Sequence, residues 1–196
     1  MHNIYILLTR STTMISRAIH FTTGDDFTHS SIAYDDDLYT LYSFGRKYPR
    51  LMFPAGLISE RLEYGFYRIH ANMPCVLLGL SVSDGVYKNI RQRIDRMRSQ
   101  SEDYRYDVRG LISCKLGKET NHPNKYFCSK FVSEVLEDSG AVGLPKPTSL
   151  MRPQDFMEMP QLTVLYRGSI AGLIIKLQFK EISKRISAIN AKKALL

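Results

Sequence analysis

The stretch from Lys125 to Glu137, KYFCSKFVSEVLE, constrains this chain more than any other. Phe131, Val132, Val135 and Leu136 recur at the three- and four-residue spacing of one helix face, and Cys128 lies on that face just ahead of them. A helix striped in this way has to bury its apolar side against another layer. Cys128 itself admits two readings. Free cysteine is among the most buried residue types, and on an apolar face it packs more often than it reacts. At the first turn of a helix, however, unpaired backbone N–H groups and the positive end of the dipole favour a thiolate, and the same N–H groups suit an oxyanion. Asn121, His122, Pro123 and Asn124 supply turn and capping residues just ahead, so the helix is expected to begin near Cys128.

The layer facing this helix is expected to be a sheet. NIYILLT at 3–9 and CVLLGLSV at 75–82 are continuous apolar runs of strand length. THSSIAY and LYTLYSF flank Asp35, Asp36 and Asp37, which predicts a β-hairpin over 28–44 with a loop of about three residues. A short helix is predicted over 12–23 with Ser11 as its cap, and a second from Asp84 with Tyr87, Ile90, Ile94 and Met97 as its apolar stripe. A third, over 107–117, ends at Gly117 and holds Cys114 as a core residue. Residues 45–64 lack clean periodicity and read as a surface excursion bordering the site. Arg152, Pro153 and Asp155 are expected to shape a turn and a helix start. Residues 162–179 read as two strands turning near Arg167 and Gly168, with Ile182, Ile186 and Ile189 at helical spacing beyond them. The organisation expected is one domain over 1–180 and a basic helical tail over 181–196.

A thiol nucleophile needs a base, normally histidine, and a third group to orient it. Of the histidines, His2 is terminal, His20 ends a helical pattern, His70 precedes a loop and His122 sits in a polar turn. His29 alone opens a strand, beside the small residues Ser30 and Ser31 that leave room for a facing helix. With the hairpin turn centred on Asp36, residue numbers summing to about 72 face one another, which sets His29 opposite Ser43. A shift of one residue would bring Tyr42 or Phe44 there instead.

Charge and cysteine content narrow the setting. Cys75, Cys114 and Cys128 cannot all pair within the chain and show no CxxC spacing, which fits a reducing compartment. The N-terminal run lacks a basic region and a small-residue cleavage site, and no apolar stretch reaches spanning length, so a cytoplasmic location is expected. His and Cys do not gather at ligand spacing, and acyl transfer by a thiolate needs no cofactor or metal. The net charge of +8 is concentrated: from Lys176 onward six Lys or Arg face only Glu181. The block YKNIRQRIDRMRSQ at 87–100 is also basic but carries no nucleic-acid signature.

FTHSSIAYDDDLYTLYSFGRK, followed about a hundred residues later by YFCSKFVSEVLEDSGA, resembles the circularly permuted branch of the NlpC-type, papain-like cysteine hydrolases. That branch includes the YiiX-like proteins and lecithin retinol acyltransferase. In it the histidine strand precedes the cysteine helix, the order found here, and the resemblance spans Ile4 to Phe156 by order of elements. It implies an α+β papain-like fold with a small antiparallel sheet packed against the Cys helix, Cys128 as nucleophile, His29 as base, and hydrolysis or acyl transfer at an amide or ester of a peptide or lipid. The family's third residue, often acidic or a second histidine on the next strand, has no match there, only Tyr42 and Ser43. Glu60 lies farther on, in the irregular segment, and ranks behind Ser43 as an orienter. The competing reading is a non-catalytic binding module of the same fold that docks on an anionic membrane or another acidic partner through its basic, isoleucine-spaced tail. The sequence leaves the oligomeric state open.

Overall fold

Apolar runs with no polar alternation must be covered on both faces. The computed structural model, which describes residues 1–10, 24–48 and 54–193, puts both such runs at the centre of a sheet. Its strands are β1 (His2–Thr9), β2 (His29–Ala33), β3 (Leu41–Arg46), β4 (Ala55–Glu60), β5 (Pro74–Val82) and β8 (Thr163–Ser169), with β6 (Arg105–Tyr106) and β7 (Lys125–Tyr126) forming a separate two-stranded ladder. The order is β4-β3-β2-β1-β5-β8, and every pairing is antiparallel. The fold is therefore α+β, as expected, with a six-stranded sheet where a small one was anticipated.

Side chains of β1 alternate between two cores. Ile4, Ile6 and Leu8 join Val76, Leu78 and Leu80 of β5 under α2 (Asp84–Ser99) and α4 (Cys128–Asp138). Tyr5 and Leu7 join Cys75 and Leu77 on the opposite face, under α1 (Gly65–Ile69) and the start of α5 (Ile170–Lys193). The predicted α2 stripe holds: Ile90, Ile94 and Met97 are buried, and Ser83 caps the helix by accepting from the Val86 N–H. The helix predicted to end at Gly117 is α3 (Val108–Lys115), capped by Asp107, with Gly117 at a φ of +66° just past its end. Pro153–Glu158 forms a 3-10 helix with Arg152 as its cap, its N–H donating to Asp155 at 2.6 Å. The helix predicted over 12–23 lies outside the described residues.

Three expectations change. The turn between β2 and β3 is longer than three residues, because Leu38 adopts a φ of +53° and tucks into the second core at 2% exposure, delaying β3 to Leu41. The observed partner pair is Ile32 with Tyr42, so the register differs by two residues from the one that set His29 opposite Ser43. Residues 55–60, expected to be irregular, form β4 and pair with all of β3, from Leu41 with Glu60 to Arg46 with Ala55. Finally, the second of the two strands expected over 162–179 is helix: Ile170, Leu173, Ile174 and Leu177 carry the spacing of one face that packs on the second core. The expected tail helix is thus the continuation of α5.

Candidate active site

Cys128 is the first residue of α4, and its neighbours are set by that helix's burial. Phe131, Val132, Val135 and Leu136 are fully buried on the first face of the sheet. Lys130 anchors the approach: at 6% exposure, its Nζ donates to the carbonyls of His122 at 3.2 Å and Lys125 at 3.0 Å, and lies 3.6 Å from Glu134. A buried ammonium satisfied in this way ties the 122–125 turn to the helix whose first turn carries the thiol. His122 is held by Asp107 at 2.8 Å, and Asp107 also caps α3. The Phe127 cap makes no side-chain hydrogen bond to the first-turn N–H groups of α4.

His29 opens β2 on the opposite face. By strand alternation His29 and Ser31 share the side of Ala33, which belongs to the second core, whereas α4 packs on the first. The two residues meet because the sheet parts. β2 and β3 pair only at Ile32 and Tyr42, and toward His29 they separate. The Cys128 thiol is electrostatically coupled there to the His29 imidazole and to the backbone N–H groups of Ser30 and Ser129. Gly45 keeps the opening clear: a β-carbon there would lie 3.0 Å from Ile58 Cδ1 and 3.6 Å from His29 Cε1.

The third group is Glu60. One oxygen, Oε2, lies 3.3 Å from His29 Nε2 and accepts from Ser31 Oγ at 2.6 Å and Ser43 Oγ at 2.8 Å, with the Tyr67 hydroxyl at 3.5 Å. With Nε2 facing this carboxylate, Nδ1 is the ring nitrogen left for the thiol. Ser43, expected to hold the imidazole directly, holds the carboxylate instead. The two-residue change of register preserved its face, because side chains alternate with a period of two, but moved it from His29 to Ser31. Sequence reasoning ranked Glu60 behind Ser43 as the orienting group because AGLISE has too little apolar alternation to announce a strand. The one signal present was an acidic residue a strand's length beyond the hairpin.

The electrostatics follow from this packing. Burial disfavours charge on His29, yet the Glu60 carboxylate and the Cys128 sulfur outweigh it and push the imidazole up to about 10. Burial likewise disfavours the Glu60 anion, but His29, Ser31 and Ser43 hold its carboxyl below the ordinary value. At Cys128 burial raises the thiol, and the hydrogen bond and charge of His29 with the N–H groups of Ser30 and Ser129 reverse the sign. Burial alone acts on Cys75, pushed up to about 12, and dominates at Cys114, pushed up to about 11. Only one of the three thiols sits where a thiolate is favoured.

Three of the four arginines of α2 are engaged within the fold. Arg93 bridges to Glu134 at 3.2 Å and Asp138 at 2.8 Å, while Arg91 and Arg98 lie over the rings of Tyr34 and Tyr42. Among the described residues no helix is long and apolar enough to cross a membrane.

Compared with known proteins, the chain matches no family model and no curated protein. Among solved structures it is similar to the crystal structure of the metalloprotein yiiX from Escherichia coli, with a TM-score of 0.55 and 16% sequence identity over 86% of this chain and 98% of that one. At that identity the likeness is one of fold alone.

Proposed function

We propose that this protein is a thiol hydrolase or acyltransferase of the permuted papain-like type, cleaving an amide or ester of a peptide or lipid through Cys128. The observation that carries the reading is the placement of Cys128, a 5% exposed residue at the start of α4, with an imidazole that a buried carboxylate backs at 3.3 Å, an environment that lowers the thiol despite its burial. Fold likeness to yiiX is compatible with it and supplies no chemistry.

In this mechanism the Cys128 thiolate attacks the substrate carbonyl carbon, and the C=O electron pair moves to oxygen. First-turn N–H groups of α4 stabilise that oxyanion. The His29 imidazolium gives its proton to the leaving nitrogen or oxygen as the bond to carbon breaks, leaving a thioester on Cys128. Neutral His29 then takes a proton from water, or from an acceptor hydroxyl or amine, as that nucleophile attacks the thioester. Glu60 holds the ring through Nε2 and stabilises its charged form, with Ser31 and Ser43 positioning Glu60. Among the described residues no group of three or more His, Cys, Asp or Glu is placed to hold a metal ion.

The test is iodoacetamide alkylation of each cysteine as a function of pH, read by mass spectrometry in the wild type and in His29→Ala. The proposal requires Cys128 to react well below the ordinary thiol pKa of about 8.5 and to lose that reactivity without His29. A Cys128 no more reactive than Cys75 or Cys114 would leave the binding-module reading, which the low exposure of the sulfur favours.

A further inference from the structure

The C-terminal helix has two apolar faces, and the fold uses only one. Ile170 and Leu173 are fully buried, and Ile174 and Leu177 are partly buried against the same core. From Gln178 onward every residue with a described side chain is exposed, so the second half of α5 projects from the domain. A projecting helix of about 16 residues gains little from its own backbone, since most helical stability in proteins comes from packing an apolar face. This one carries such a face with none of the described residues covering it. Ile175, Phe179, Ile182 and Ile186 follow at spacings of four, three and four, and are 52%, 65%, 53% and 53% exposed. At about 100° per residue they form a stripe on the side opposite Ile170, Leu173 and Leu177.

The charge around the stripe selects its occupant. Lys176, Lys180, Lys184 and Arg185 lie on the helix with Glu181 as the sole acid, and Arg185 pairs with that acid at 2.9 Å. With Lys192 and Lys193 the segment from Lys176 carries a net charge of +5, that is 6 − 1. Two copies packed stripe to stripe would bring two such clusters together and repel. An anionic lipid surface offers an apolar layer for Ile175, Phe179, Ile182 and Ile186 and phosphates for the lysines. The helix is too polar to span a bilayer, which leaves it in the plane of the interface.

We propose that the projecting half of α5 is a membrane-docking element that lies in the headgroup region of an anionic bilayer, its isoleucine and phenylalanine stripe in the acyl boundary. This extends the expectation drawn from Ile182, Ile186 and Ile189 by placing Ile175 and Phe179 on the same stripe and the start of the element inside the domain. It is independent of the chemistry at Cys128.

The experiment is co-sedimentation of the full chain with phosphatidylcholine vesicles containing or lacking phosphatidylglycerol, at low and high salt. Two variants go alongside, Phe179→Ser with Ile182→Ser, and Lys180→Glu with Lys184→Glu. All four positions are exposed, so both variants should melt with the wild type. The wild type should bind the anionic vesicles and release in high salt. The stripe variant should lose roughly tenfold per removed side chain, and the charge variant should lose roughly tenfold or more. Absence of binding to anionic vesicles, or binding that the stripe variant retains, overturns the proposal. So does a wild type that sediments as a dimer by light scattering and becomes monomeric in the stripe variant without vesicle binding, since the stripe would then belong to a second copy. Cys128 alkylation should be the same in all forms, which keeps this result separate from the proposed catalysis.

Discussion

Replacing Glu60 with Gln removes one charge from behind the imidazole and keeps the shape. The carboxylate oxygen is 3.3 Å from His29 Nε2, and the two side chains are only 11% and 21% exposed. At an effective dielectric of about 20, unit charges at that distance attract by about 5 kcal/mol. The rise of His29 from 6.5 to about 10 has the same direction and is the balance of burial, which opposes it, against Glu60 and Cys128, which drive it. Without the carboxylate, burial gains weight against the remaining Cys128 contribution and the imidazole pKa falls. The Cys128 thiolate then loses its counter-charge across the range where the wild type keeps it. Alkylation of Cys128 by iodoacetamide, followed by mass spectrometry from pH 5 to 10, should therefore move to higher pH in Glu60→Gln, with the rate at pH 7.5 reduced roughly tenfold or more. Ser43→Ala removes one of three hydroxyls on the same oxygen, costs about 1 kcal/mol, and should move the profile far less. Coincident wild-type and Glu60→Gln profiles would refute the assignment of Glu60, and a larger effect from Ser43→Ala would return Ser43 to the orienting role.

The contribution of this pair to thermal stability should be greatest between about pH 4.5 and 6.5. His29 is raised in the folded state, so its contribution is full below about 6.5 and gone above about 10. Glu60 is lowered, so its contribution is present above the ordinary carboxyl value of 4.5 and lost as pH falls through its folded value. Melting temperatures across this range should trace that dome, and Glu60→Gln should flatten both sides. Lys130→Met leaves two carbonyls and Glu134 without their buried cation and should cost about 3 kcal/mol in urea unfolding; a loss under about 0.5 kcal/mol would show the anchor to be dispensable. Gly45→Ala places a β-carbon against Ile58 Cδ1, the end of a flexible side chain, so the fold should survive with a loss of about 1 kcal/mol. Its effect should fall instead on Cys128 alkylation, and unchanged reactivity would mean that the opening between β2 and β3 has room to spare.

What could be read from consecutive residues is what consecutive residues encode. The Cys128 helix, the α2 stripe, the two central strands and the place of His29 at the head of β2 all rest on periodicity and capping, which act within a few residues and leave their mark in the order of side chains. The choice of His29 over four other histidines needed only the observation that it opens a strand among small neighbours. Glu60 could be named that way but not ranked above Ser43. Its role depends on β4 pairing with β3 in one register, on a turn lengthened by the burial of Leu38, and on a side chain that reaches past Ser43 to a strand two places away. The meeting of Cys128 and His29 across opposite faces is likewise invisible in either segment, since it requires β2 and β3 to part where alternation would have had them pair. In α5 the helical spacing of Ile170, Leu173, Ile174 and Leu177 was present in the sequence. A short apolar run serves strand and helix alike, and the core that receives only one face of it decides between them.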